Sequence, residues 1–430
     1  MMIQLTDNSR IIDEYTNNPI IQELVDRDLK NLSKDNFIIF PQTIDDSADL
    51  EKETYLFRTS NQGIFTGNLI GVLKKGHNEI KINSRFYDSK GECDDLFIRY
   101  LLQKVLNVNV VRDKIESNND LAYYDLLAFL FPLYLNEALQ KGVYKEYIPV
   151  LYNDANVKGT ISLARHIRAN LPFMGKIAYD VREFSYDNKL LQLIRHTIEK
   201  LQFTYKFDEL STSVYRENIR EIVNSTPSYS IAERYKILET NILNPVKHGY
   251  YEEYYQLQRL CIQILSEDKV GFGVDDDEVH GIIIDVAWLW EKYLATILTP
   301  IYTHADNKTG KNPINFYTDK FNPRYPDFYS ADTILDAKYK RLEDGGISRE
   351  DLYQITSYLH VRKATSAGLV FPSKKDFGYQ KVGELAGYGG EIFKVGFKIP
   401  QMIRKYSDFT REMKASENAL LSDLARETSK

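Results

Sequence analysis

Arg324-Tyr325-Pro326-Asp327-Phe328-Tyr329-Ser330-Ala331-Asp332-Thr333-Ile334-Leu335-Asp336-Ala337-Lys338-Tyr339 is the stretch on which the reading of this chain turns. Two short apolar runs flank a polar break, the pattern of a hairpin. With the turn centred between Ala331 and Asp332, Ser330 faces Thr333, Tyr329 faces Ile334, Phe328 faces Leu335 and Asp327 faces Asp336. Directly opposed residues have Cβ atoms about 4.5–5.5 Å apart, and like charges there repel. Two opposed carboxylates therefore require a cation. Strand alternation puts Lys338 on the face of Asp336 and points Ala337 away. Two carboxylates and one ammonium group converge on one small patch.

Hard oxygen ligands in small number suit Mg2+, with Mn2+ as a substitute, because such ions keep several waters. A cation there would polarise a phosphate oxygen and acidify water, with Lys338 orienting or deprotonating that water. The ordinary alternative is a solvated strand face with a weak surface ion pair, and Ala-Asp is not a favoured two-residue turn. The hairpin alone does not decide between them.

The following helix adds weight to the metal site. Ser348-Arg349-Glu350-Asp351 resembles a capping box with Ser348 as N-cap. Gln354 and Tyr358, at i and i+4, share one helical face, where an amide and a phenol suit a DNA phosphate or a water beside the hairpin. An exposed polar pair on an amphipathic helix is the plainer reading of those two alone. Upstream, Glu291 sits in Trp288-Leu289-Trp290-Glu291-Lys292-Tyr293, an otherwise core-facing helix. It is either a further metal-shell carboxylate or a surface residue paired with a nearby lysine.

Working outward, the chain has 430 residues, enough for two to four domains. Its 43% hydrophobic and 27% charged residues exclude collagen-like, coiled-coil and wholly disordered classes. A net charge of −6 excludes coating of nucleic acid by bulk charge. Residues 362–405 nevertheless hold nine Lys/Arg against three Asp/Glu, which suits phosphate contacts or a solvated basic face. Cys93 and Cys261 are the only cysteines, too few for a disulfide framework or a paired-cysteine zinc site, and the seven histidines are scattered. No apolar run approaches the ~20 residues that span a bilayer, and the first seven residues turn polar too early for a signal peptide, so a cytoplasmic protein is expected. Thr309-Gly310-Lys311-Asn312 imitates the end of a phosphate loop, but Ala305 replaces the earlier glycine and Asn312 stands where Ser or Thr should be, which excludes an NTPase reading.

The expected fold class is α+β and multidomain. Residues 1–110 read as a β-rich N-terminal domain: a charged, helix-like start, a strand at 37–40, and glycine-punctuated strands at 69–73 and 79–83 before a helix at 94–106. Residues 111–270 read as mainly helical, with strong apolar patterns at 121–139 and 190–203. An acidic, glycine-containing linker at 271–278 precedes a C-terminal α/β domain over 275–430. That domain has helices at 285–298 and 349–360, strands near 314–317, 325–329, 333–339 and 368–371, and a basic, mixed-charge helical tail from 402.

Pro326-Asp327, Asp336-Ala337-Lys338, Gln354 and Tyr358 resemble the PD-(D/E)xK nuclease pattern with its Q-x-x-x-Y helix. Beyond the hairpin the chain resembles the McrC family, the nuclease subunits of McrBC-type modification-dependent restriction systems. The matching stretches are 67–82, 134–161 (with Lys158-Gly159-Thr160-Ile161), 182–190 (Arg-Glu-Phe-Ser-Tyr-Asp-Asn-Lys-Leu), 285–294 and 324–371. The resemblance implies a restriction-endonuclease-like C-terminal domain that cuts double-stranded, modified DNA with Mg2+. It implies an N-terminal part that docks on an McrB-like AAA+ GTPase ring and stimulates it. Asp327 and Asp336 would be metal ligands with Glu291 as a further candidate, Lys338 the catalytic lysine, and Gln354 and Tyr358 auxiliary catalytic residues. A non-catalytic activator of the ring and a free-standing DNA repair or processing nuclease are the alternatives; the intact Asp327, Asp336 and Lys338 weigh against the first.

Overall fold

Thr333–Ala337 is buried except at Ala337, and its neighbours follow from what its two faces need. In the computed structural model, Phe328–Tyr329 pairs with it antiparallel and Ser366–Ser373 parallel. The structure describes residues 2–32, 37–41, 55–87, 95–107, 110–112, 123–207, 213–247, 249–266, 279–307, 310–343, 345–387 and 389–425. The linker at 271–278, Cys93, Thr309 and the last five residues of the tail lie outside them.

The hairpin has the register that alternation requires: Phe328 opposite Leu335 and Tyr329 opposite Ile334. Its turn closes through Ser330 N donating to Thr333 O at 2.8 Å. The Ser330 hydroxyl also accepts from the backbone of Asp332 and Thr333, which holds a turn that Ala-Asp would not favour unaided.

The full sheet has six strands in the order Thr303–His304, Phe328–Tyr329, Thr333–Ala337, Ser366–Ser373, Glu391–Lys398, Gly378–Glu384. Its parallel centre is covered on both faces, so Ser366–Ser373 is buried at every position and reads as an apolar run. The crossover helix Arg349–Arg362 starts on Ser348, whose hydroxyl accepts from Asp351 N at 3.1 Å, and stops at Lys363 in the left-handed region (φ 54). Ile334, Ile355, Leu359, Leu369 and Phe371 fill the space between helix and sheet.

A second, five-stranded sheet runs Met2–Thr6, Asn78–Asn83, Leu69–Lys75, His280–Asp285, Phe37–Phe40. The start of the chain is thus an edge strand, with Ile3 and Leu5 inward and Met2 and Gln4 outward, and not the helix that its charges suggested. His280–Asp285 lies between an antiparallel and a parallel neighbour, with Ile282, Ile283 and Ile284 fully buried. Asp285 then caps the helix Val286–Leu298 by accepting from Trp288 N at 3.0 Å. Because that strand completes the N-terminal sheet, residues 1–107, 115–126 and 276–430 form one compact unit.

Two residues in this unit give direct tests. Gly71 has φ +156, and a Cβ built there lies 2.0 Å from Ile282 O. Gly71→Ala is expected to cost about 2–3 kcal/mol in a denaturant titration; a loss below about 0.5 kcal/mol would show that the strands part more easily than described. Asp95, buried at the start of the helix Leu96–Leu106, accepts from Ser84 N and Ile98 N, and burial pushes its carboxyl up to about 6. The unfolded chain ionises that carboxyl near the ordinary aspartate value of about 4, so stability falls as pH rises from there to about 6, by about 3 kcal/mol in all. Asp95→Asn should flatten Tm over that window. An unchanged slope would remove Asp95 from the explanation.

The second compact unit comprises residues 108–114 and 127–275. Its core helix Lys189–Thr204 packs against Ser213–Ser225, Arg234–Leu243 and Glu252–Ser266. Beside the expected helices stands a three-stranded antiparallel sheet of Glu146–Asp154, Ile177–Ser185 and Thr160–Ile161. Pro149 interrupts the apolar pattern of Glu146–Asp154, and the strand is an edge, where a missing N–H is tolerated. Around this sheet Leu151, Leu163, Leu171, Phe173, Met174 and Phe184 are all exposed, Met174 by 82%. Among the described residues, no helix is long and apolar enough to cross a membrane.

Candidate active site

The hairpin delivers its two carboxylates as alternation demands. Asp336 is buried on Thr333–Ala337, facing the crossover helix with Ile334 and Lys338. Asp327, one residue before Phe328, hooks onto the same strand: its Oδ2 accepts from Ala337 N at 2.6 Å. Burial, then the charge of Asp336, then that of Glu291 push the Asp327 carboxyl well above the ordinary range, against the pull of Lys338 and the Ala337 N–H. Two carboxyl groups side by side in one pocket disfavour full ionisation of both without a cation between them.

Lys338 Nζ lies 2.7 Å from Asp336 Oδ2, 3.1 Å from Gln354 Oε1 and 3.7 Å from Asp351 Oδ1. Burial works against its charge, but Asp336 and Asp327 outweigh that and raise its pKa. Held this way, the Lys338 side chain points its hydrogen-bond donors at Asp336 and Gln354. Gln354 holds it from the helix and hydrogen-bonds Tyr358, whose ring is buried edge-on to Phe316. Tyr358 therefore acts on Lys338 through Gln354, and the pair is no exposed surface feature.

Glu291 pairs with a neighbouring lysine, as one of its two sequence readings has it. Its charge reaches Asp327, while its Oε1 meets His304 Nε2 at 3.1 Å and Lys292 Nζ at 3.5 Å. His304, opposite Phe328 on the edge strand with its ring against Phe328, carries no signal that sets it apart among scattered histidines. Asp351 was legible only as a cap; its carboxylate also binds Lys340 Nζ through both oxygens, at 3.0 and 3.1 Å.

Among the described residues, no group of three or more His, Cys, Asp or Glu side chains converges as a ligand set. The fit to a divalent cation rests on the pair Asp327 and Asp336. Their hard oxygen donors suit Mg2+ with water completing its shell. Four of the nine cations in the basic run over 362–405 have partners within the protein. Lys394 is buried on the carbonyls of Leu342 and Gly345, Lys381 is held by Glu384 and Glu391, Lys398 pairs with Asp376, and Arg362 lies over the Tyr329 ring.

Fold and site define a mixed α/β protein with a partly buried centre of two carboxylates and one ammonium. The family model for the McrBC 5-methylcytosine restriction system component matches residues 64–372, and this chain belongs to that family. No curated protein matches it. Among solved structures it is similar to a chain of the refined half-complex from a tetradecameric assembly of Thermococcus gammatolerans McrB AAA+ hexamers with bound McrC. That alignment has 16% identity, covers 96% of this chain and 100% of that one, and has a TM-score of 0.44. It is also similar to a chain of the cryo-EM Thermococcus gammatolerans McrBC complex, with 14% identity over 70% of this chain and 87% of that one, at a TM-score of 0.31.

Proposed function

We propose that this chain is the DNA-cleaving subunit of a modification-dependent McrBC-type restriction system, with a PD-(D/E)xK restriction-endonuclease-like domain that hydrolyses phosphodiesters of double-stranded DNA using Mg2+. The observation that carries this reading is the pair of half-buried Asp327 and buried Asp336, with Lys338 hydrogen-bonded between Asp336 and Gln354. Asp327 and Asp336 hold the cation, with Glu291 adding charge behind them. A bound divalent cation supplies Lewis-acid polarisation of the phosphate and acidifies water. Lys338, as an ammonium, donates to a phosphate oxygen and offsets the charge that builds up there. Gln354, backed by Tyr358, fixes the direction of that ammonium.

The partner we assign is an AAA+ GTPase ring of the McrB kind, which recognises the modified DNA and which this chain stimulates. Family membership supports it, and the exposed apolar side chains around Glu146–Asp154 offer the kind of surface a protein partner covers. The test is plasmid cleavage in Mg2+ by the chain alone and with an McrB-like AAA+ GTPase, on methylated and unmethylated DNA. Cleavage of methylated DNA that needs the partner is the expected result. Stimulated GTP hydrolysis without cleavage under any condition would leave an activator only, and cutting without the partner would mean a free-standing nuclease.

A further inference from the structure

We propose that Asp351 is a positioning residue that receives the Lys338 ammonium when Asp336 takes up a divalent cation. The inference rests on the reading of Asp327 and Asp336 as cation ligands. Lys338 Nζ sits on Asp336 Oδ2 at 2.7 Å, and a cation held by Asp336 would share that carboxylate with the ammonium. Two positive centres on one carboxylate in a buried pocket repel strongly, so loading the site requires the ammonium to find another partner. Asp351 Oδ1 is the next carboxylate oxygen, 3.7 Å away. A shift of about 1 Å brings the ammonium to the charge-assisted hydrogen-bond distance of about 2.8 Å. Gln354 Oε1, at 3.1 Å, remains a partner close to both positions.

Asp351 is built to wait for that shift. It is buried in the first turn of Arg349–Arg362, where the helix N-terminus favours an anion. Burial works against its charge, but Ser348, Lys338 and Lys340 prevail and hold its carboxyl below the usual range. Lys340, two residues after Lys338 and beyond the strand's end, binds both Asp351 oxygens and keeps the carboxylate in place whichever position Lys338 occupies.

The test is a calorimetric titration of the full chain, without DNA, with Mn2+. Four proteins form a cycle: wild type, Asp351→Asn, Lys338→Met and the double variant. Asp351→Asn is expected to weaken Mn2+ binding about tenfold, because the displaced ammonium is left without a carboxylate. In the Lys338→Met background the same change should have almost no effect, since no ammonium has to move. Asp351→Glu should restore binding toward wild type, which a misfolded site would not. Equal weakening by Asp351→Asn in both backgrounds, or none in either, would overturn the proposal while leaving the cation site intact. Absence of Mn2+ binding in both wild type and Lys338→Met would overturn the cation site itself, and the transfer with it.

Discussion

Asp336→Asn is expected to lower Mg2+-dependent DNA cleavage by about a thousandfold or more, the scale of several kcal/mol that a correctly held cation contributes to phosphoryl chemistry. The substitution keeps size and shape, so its effect lies in charge and ligation. It removes the charge of a proposed ligand and leaves Lys338 to Gln354 and Asp351. It also removes the second-largest cause that pushes the Asp327 carboxyl up. The metal-free variant should therefore show an Asp327 carboxyl closer to the ordinary range, readable as a carboxyl 13C titration that moves to lower pH. Cleavage within tenfold of wild type would remove Asp336 from the chemistry.

The second large effect concerns stability. Arg85 binds the fully buried Asp7 through Nε at 2.8 Å and Nη2 at 2.6 Å, and its backbone N–H donates to the other Asp7 oxygen. Nη2 also donates to Asn68, Nη1 reaches Tyr339 O at 3.4 Å, and the guanidinium lies 4.9 Å from the Tyr339 ring centre. Burial raises the Asp7 carboxyl in spite of Arg85, so the pair already stands near the limit of what its geometry offsets. Arg85→Ala leaves that carboxylate without its main cation and is expected to cost about 3–5 kcal/mol of unfolding free energy by denaturant titration. Tyr339 follows Lys338 directly, so the end of the site strand should loosen as well, seen as faster amide exchange at Lys338, whose N–H donates to Val370 O. A change below about 1 kcal/mol would mean that water replaces the guanidinium readily.

The site was legible in the sequence to the extent that it is local. Phe328 to Leu335 and Tyr329 to Ile334 follow from period-2 alternation about one turn, and the turn fixes which residues oppose. Ser348 announced the crossover helix, and the four-residue spacing of Gln354 and Tyr358 put them on the face that meets Lys338. What was hidden is non-local. His280–Asp285 is a short apolar run whose place beside Leu69–Lys75 is a pairing across some two hundred residues that no local pattern encodes. The ribbon of Glu146–Asp154 and Ile177–Ser185 keeps apolar side chains on its outside, so its alternation does not separate core from solvent. The cations of 362–405 looked free because charge counts do not show which carbonyls and carboxylates will hold them. His304 and Asp351 reach the site from an edge strand and a helix start, where single polar residues have no distinctive spacing.

The most direct test of the account is whether phosphodiester cleavage depends on the two carboxylates of this centre. Methylated linear DNA, end-labelled, is incubated in Mg2+ and GTP with an McrB-like GTPase and either the wild-type chain or the double variant Asp327→Asn/Asp336→Asn, with GTP hydrolysis followed in the same reaction. The account predicts new DNA ends with the wild-type chain and none with the double variant while stimulated GTP hydrolysis continues. Cleavage by the double variant, or intact DNA with the wild-type chain while GTP hydrolysis runs, would contradict it.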